Sequence, residues 1–284
     1  MSGCRRQPLF NLRSEGERVS FHTVNINSWP ELVEIIDELQ VHTDSLVWYL
    51  RGQADASWQL VPSIVRIFSP CCIDAGTAYE IEQVALGLFQ SQAHLYLKPD
   101  LIDQNSWACV AWWSLMQHYS CPTRLLDWTR SPYVAAYFAV NQQNEKDGAI
   151  WYFPAPALEQ EMHKSYGPLD LKSEKAFGPS ASAQAVYPVL GFQHTQRSAA
   201  QQGVFTVATN ILTDHGAAIN GVLACRPKRE QLARLVIPAA KKLDFLSRLH
   251  TMNITAKTLF PGIDGVGRSV SEIVTLRVWR QFKA

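Results

Sequence analysis

The sequence predicts an α+β fold, and three observations carry that reading. Short strand-like runs and helical stretches are mixed along the chain. No repeat or low-complexity segment divides it. A length of 284 residues at 47% hydrophobic composition also allows one substantial core. Residues 1–27 are polar and weakly patterned and are expected to form an N-terminal arm. Residues 28–284 are expected to form one domain.

The first predicted helix is NSWPELVEIIDELQ. Ser28 and Glu31 have capping-box spacing, Pro30 lies in the first turn, and Leu32, Ile35, Ile36 and Leu39 share a face. A strand over Leu46–Leu50 follows and runs straight into Arg51 and Gly52. A second helix spans TAYEIEQVALGLFQSQAHLY, with Ile81, Val84, Ala85 and Leu88 as its apolar face. WACVAWWSLMQHY is apolar nearly all round and is expected to be a buried helix. Its Trp107, Trp112 and Trp113, together with Trp128, are expected in the core rather than on a stacking surface. Ser131 and Pro132 mark a helix start, since the hydroxyl can accept an orphan amide and proline needs no partner at the first position. GAIWYF, GVFTVA and RLVIP read as strands, Pro154 to Pro188 as a long excursion, and KKLDFLSRLHTM as a late surface helix before the turn FPGIDG.

Composition excludes some function classes. The 26 basic and 25 acidic side chains leave a net charge of +1, so no global field recruits nucleic acid or an anionic membrane. Six cysteines, none in a CxxC pair, have no spacing suited to tetrahedral zinc. Free thiols, no signal-like N-terminus and no membrane-length apolar run predict a cytoplasmic protein without metal and without a membrane partner. The basic cluster CRPKRE reads as a solvated turn.

Chemistry concentrates in MQHYSCPTRLLDWTRSPYVAAYFA. His118, Tyr119, Thr123, Arg124, Asp127 and Thr129 crowd between two apolar helices and must all find partners there. One reading pairs Arg124 with Asp127 in a buried structural bridge, and the other makes the group a site. Arg51 poses the same choice, because an arginine at a strand end beside a glycine either meets a structural carboxylate or faces an anion close to the backbone. Gln201, Gln202 and Gly203 lead into a later strand.

YLRGQ, the segment just quoted, QQGVFT and TLFPGIDG occur in this order over roughly residues 45–267. Together they resemble the FRG domain family, with Leu50 in place of the aromatic first letter. More distantly they are similar to the ADP-ribosyltransferase fold, which implies a split, mixed or antiparallel β core flanked by helices. That resemblance implies NAD as co-substrate, clamped by Arg51 with Gly52 and Gln53. It implies Thr129, Ser131 and Gln201 as further NAD-binding positions, and Tyr119, Thr123 and Arg124 of the crowded segment are expected to line the same pocket. Arg51, His118, Asp127 and Gln202 are the expected catalytic residues. Gly203 leaves no glutamate at the third motif, so either Gln202 orients the ribose or acceptor while Asp127 or His118 takes the proton, or the pocket binds without turnover.

The leading expectation is an ADP-ribosyltransferase of toxin or phage-defence type. Its acceptor would be nucleic acid or protein, with room for an antitoxin partner. The alternatives are a metal-independent nuclease using His118 and Arg51, and a non-catalytic module that binds a nucleotide or a partner.

Overall fold

In the computed structural model, residues 21–41, 47–97, 109–171, 174–179, 181, 184–190 and 195–283 are described. Most of the expected arm, Leu46 and Trp107 lie outside the described residues. Among the described residues seven strands are present: β1 (His22–Asn25), β2 (Trp48–Gln53), β3 (Leu125–Thr129), β4 (Gly148–Pro154), β5 (Val186–Leu190), β6 (Gly203–Ala208) and β7 (Ala233–Ile237). They form one mixed sheet in the order β1-β7-β4-β2-β3-β6-β5. Only β1 against β7 is parallel; the remaining pairs are antiparallel.

Helices flank the sheet: α1 (Trp29–Val41), α2 (Ser63–Phe68), α3 (Ala75–Ala93), α4 (Cys109–His118), α5 (Pro132–Val140) and α6 (Ala155–Tyr166) precede β5. After it come α7 (Gln196–Ala200), α8 (His215–Leu223), α9 (Ala239–Thr251), α10 (Ala256–Leu259) and α11 (Ile263–Lys283). Two cores result. Trp112, Trp113, Met116 and Trp128 share one with Tyr49 and Phe153. Ala135, Tyr137 and Val140 of α5 share the other with Leu50, Ile150, Phe245 and Leu249.

The expected split of the sheet is reduced to a seam. β2 pairs along its whole length with β4, and β3 along its length with β6. Between β2 and β3 the only register pair is Leu50 with Thr129. Beyond that bridge the two strands part, and alternate backbone groups facing the gap lack a ladder partner.

Gly52 explains how α5 lies so close to this seam. A Cβ there would sit 1.9 Å from the Ala135 carbonyl oxygen, and one on Gly148 would sit 2.1 Å from that of Ala139. The glycine of the first motif therefore admits a helix to the sheet. Ser131 caps α5 as expected, accepting from the Val134 amide at 3.3 Å with Pro132 in the first turn.

Several elements differ from expectation for identifiable reasons. His22–Asn25, within the segment expected as an arm, forms an edge strand, since HTVN is too short and polar to show a strand period. The excursion after Pro154 contains both α6 and β5, and Pro188 is tolerated in β5 because that strand lies at a sheet edge. Along α3 the apolar face is turned outward: Ile81, Val84 and Leu88 are exposed, while Ala78, Glu82 and Leu86 are buried. Glu82 faces inward because Arg124 needs a carboxylate there. The helix expected on the surface at KKLDFLSRLHTM buries Lys242, Phe245, Leu246 and Leu249. Lys242 Nζ donates to the carbonyls of Ala54, Gln142 and Gln143 at 2.8, 2.5 and 2.9 Å.

Cys71, Cys72, Cys121 and Cys225 carry free thiols. No helix among the described residues is long and apolar enough to cross a membrane.

Candidate functional site

A cleft of about 260 Å³ opens where β2 and β3 part. It draws on both sides of the sheet: Ser114, Gln117 and His118 come from α4, and Phe138 comes from α5. Leu50, Arg51 and Gly52 of β2 and Asp127, Trp128 and Thr129 of β3 form its floor, with Gly203 and Phe205 from β6. Arg197 and Ser198 of α7, followed by Gln201, close the remaining wall.

Arg51 is the first consequence of the seam. Its Nη1 donates to the Asp127 carbonyl at 2.7 Å, a backbone acceptor that an ordinary sheet would have given to a neighbouring strand. The Asp127 carboxylate lies 4.0 Å away, at the outer limit of an ion pair. Arg51 Nε is buried and has no hydrogen-bond partner among the described residues. Burial disfavours its charge and Asp127 favours it. The guanidinium is thus tethered at one corner, with donor capacity left over beside a cavity.

Among the described residues Asp127 is the one carboxylate in the cleft lining, and its orientation is fixed from α4. Gln117 Nε2 donates to Oδ1 at 2.5 Å, and the Thr123 hydroxyl donates to Gln117 Oε1. Thr123 is itself anchored by its amide to Ser63 Oγ at 3.1 Å and by its carbonyl to the Ile64 amide at 3.3 Å. This chain occupies one oxygen of Asp127 and leaves Oδ2 on the Arg51 side.

The second and third motifs are joined directly. The Thr129 hydroxyl donates to the Gln201 carbonyl at 2.7 Å and accepts from the Ser131 amide at 3.0 Å. Gln201 Nε2 donates to the Leu259 carbonyl at 3.0 Å, which ties the fourth motif to the same wall. His118, at the end of α4, has its basicity lowered by partial burial and by the nearby Arg197 guanidinium, both of which favour the neutral imidazole. Its Nδ1 lies 3.5 Å from Thr195 Oγ1.

Of the residues expected at the site, Arg51, Gly52, His118, Asp127, Thr129 and Gln201 come together around the cleft. Six others do not line it. Gln53, one residue beyond Gly52 on β2, is buried, accepting from Trp151 Nε1 at 2.8 Å and donating to the Gln59 carbonyl at 3.2 Å. Arg124 is fully buried: Nε donates to Glu82 at 2.8 and 3.1 Å, Nη2 pairs with the same carboxylate, and Nη1 reaches three backbone carbonyls. It is structural, and its partner is Glu82, not Asp127. Thr123 is buried behind Gln117 and acts on the cleft only through it. Tyr119 is half exposed, packed edge-on against His118. Ser131 serves as the α5 cap. Gln202 is exposed in a left-handed turn at φ 47°, with its carbonyl accepting from the Arg130 amide at 3.2 Å. That turn, which carries the chain from α7 into β6, points Gln201 rather than Gln202 into the wall.

Sequence reasoning missed Gln117, Arg197 and Ser198. Gln117 stood inside the quoted motif, but only the contact with Asp127 reveals its part. Arg197 lies on a five-residue helix just ahead of QQGVFT, where no periodicity marks an inward face.

Residues 46–148 match the model of the FRG domain. That stretch supplies Arg51, Gln117, His118, Asp127 and Thr129, whereas Arg197 and Gln201 lie beyond it. No curated protein and no solved structure matches the chain.

Proposed function

The chain carries an FRG domain over residues 46–148, and from that premise we propose that it is an NAD-dependent ADP-ribosyltransferase acting on nucleic acid or protein. The supporting observation is convergence: Arg51, the Asp127–Thr129 segment and Gln201, from three separated motifs, meet at the cleft where the sheet parts. In this reading NAD enters as a substrate, with a phosphate against the free donors of Arg51. The cleft volume suits a nucleoside-sized portion, leaving the rest of the dinucleotide over its open side.

Transfer requires breaking the bond between ribose and nicotinamide, which builds positive charge on the ribose. Asp127 Oδ2 is the carboxylate oxygen placed to stabilise that charge, in the role a third-motif glutamate would otherwise fill. The incoming nucleophile of the acceptor bonds to the ribose carbon as nicotinamide leaves. Its proton goes to neutral His118, which has the unprotonated nitrogen a base needs. Thr129 and Gln201 hold the wall against which the ribose is oriented, and Gln202 has no part.

Incubation of the protein with labelled NAD and a cell lysate tests this. Label entering nucleic acid or protein, and lost in Arg51→Ala and Asp127→Asn, is the expected result. Absence of label with no detectable NAD binding would remove the proposal. Cleavage of RNA or DNA without NAD would replace it with a nuclease.

A further inference from the structure

Two guanidiniums share one aromatic ring at the edge of the cleft. The Arg197 guanidinium carbon lies 4.7 Å from the centre of the Phe260 ring, and that of Arg268 lies 4.6 Å from it. Arg197 belongs to the cleft wall, while Arg268 stands on the second turn of α11 and is exposed. Stacking on a ring stabilises each cation, but the charge of Arg268 disfavours that of Arg197. Neither makes an ion pair or hydrogen bond to any described residue. The carboxylate acting on Arg197 is Asp127, which is already bonded to Gln117 and shared with Arg51.

The fourth motif builds this arrangement. Phe260 packs edge-on against Phe138 of α5 at 6.0 Å. Gly262 follows at φ 128°, a backbone conformation that favours glycine. A Cβ on Gly265 would lie 1.9 Å from the Phe260 carbonyl oxygen, so that glycine lets the start of α11 fold back over the ring and bring Arg268 to it. Two cations, of which only Arg197 is partly compensated by Asp127, are therefore fixed by a close-packed turn rather than left to swing in solvent. The chain as a whole has a net charge of only +1, so this is a local excess and not a sample of a basic surface.

We propose that Arg197 and Arg268, stacked on Phe260, form a second anion site at the cleft mouth that takes a phosphate group of a diphosphate-bearing ligand. A phosphate bridging the two removes their repulsion and gains charge-assisted hydrogen bonds from both. The inference rests on the proposed function only for the identity of the natural ligand; the site itself is defined by its charges. Arg51 lies deeper in the cleft, at the strand seam, and the two positions serve different phosphates.

The test is calorimetric titration of the intact protein with inorganic diphosphate, ADP-ribose and nicotinamide riboside, the last carrying no phosphate. Arg268→Gln, an exposed change that leaves the fold intact, should weaken ADP-ribose binding about 10-fold or more and leave nicotinamide riboside unchanged. Phe260→Leu should weaken ADP-ribose in the same direction by releasing Arg197, and Arg268→Lys should restore part of the loss. Weakening of inorganic diphosphate but not of ADP-ribose would assign the site to a free anion, still as proposed. Equal affinities for diphosphate and ADP-ribose in wild type and Arg268→Gln would overturn the inference. The two proposals fail separately. Arg268-dependent diphosphate binding without transfer of label would leave this site standing and remove the transferase; transfer with normal affinities for both diphosphate and ADP-ribose in Arg268→Gln would do the reverse.

Discussion

Arg124 and Arg51 both begin in or beside the sheet next to carboxylates, yet their surroundings differ completely. Arg124 is closed: Glu82 takes Nε and Nη2, the carbonyls of Phe177, Ala208 and Thr209 take Nη1 at 3.2, 3.4 and 3.0 Å, and Trp113 lies under the guanidinium at 4.7 Å. Arg51 is open: one carbonyl at 2.7 Å, a carboxylate at the 4.0 Å limit, an Nε without a partner and a cavity alongside. A buried cation whose donors are all taken stabilises a fold. One whose donors are left over beside space is placed for a ligand.

The largest effect that sharpens this contrast is on the closed side. Arg124→Ala should lower unfolding free energy by about 3–5 kcal/mol, because Glu82 is left as an unpaired buried charge. Chemical denaturation measures it, and a loss under ~1 kcal/mol would mean the bridge is not closed.

Next in size is a pH effect from His215, buried among charges that include both arginines. Its Nδ1 lies 2.8 Å from Thr206 Oγ1, which accepts from Trp128 Nε1 at 2.9 Å. Burial first, then Arg51 and Arg124, push its pKa down to about 3 from 6.5. The folded value lies below the unfolded one, so the unfolded chain binds the extra proton between them. Stability is full above pH 6.5 and falls as pH drops toward 3, by on the order of 4 kcal/mol. His215→Gln should flatten this part of the stability curve, and an unchanged acid limb would contradict the assignment.

Smaller again is Gly52→Ala. The new methyl meets the Ala135 carbonyl, and the shift of α5 should cost about 1–3 kcal/mol. A neutral effect would return that glycine to a purely ligand-facing role. Smallest on stability is Gln202→Ala, expected within about 0.5 kcal/mol of wild type and with unchanged ligand affinity. Gln201→Ala, by contrast, removes the bond to Leu259 and should weaken ligand binding.

What was legible in the residues follows from how local the signal is. The Ser131–Pro132 start, the buried tryptophan helix and the strands β4 and β6 depend on neighbours in sequence, and each forms as read. The convergence of Arg51, Asp127 and the third motif was also readable, because the motifs themselves carry it. Choosing Gln201 over Gln202 was not, since one left-handed residue in a turn decides which side chain faces inward. Nor was the outward apolar face of α3: a buried arginine forty residues away turns Glu82 in, and no helical period reports that. The partner of Arg124 and the role of Gln117 are likewise tertiary facts. Arg197 and Arg268 become a pair only through Phe260, which belongs to the fourth motif.

The central claim is that Arg51 is an open, ligand-directed cation, and its most direct test is a paired measurement on Arg51→Ala. ADP-ribose affinity and unfolding free energy are determined on the same preparation. Affinity should fall about 10-fold or more, while stability changes by less than about 1 kcal/mol. A variant that binds ADP-ribose as wild type does, or that loses stability on the scale of Arg124→Ala, would show Arg51 to be a structural residue like its neighbour.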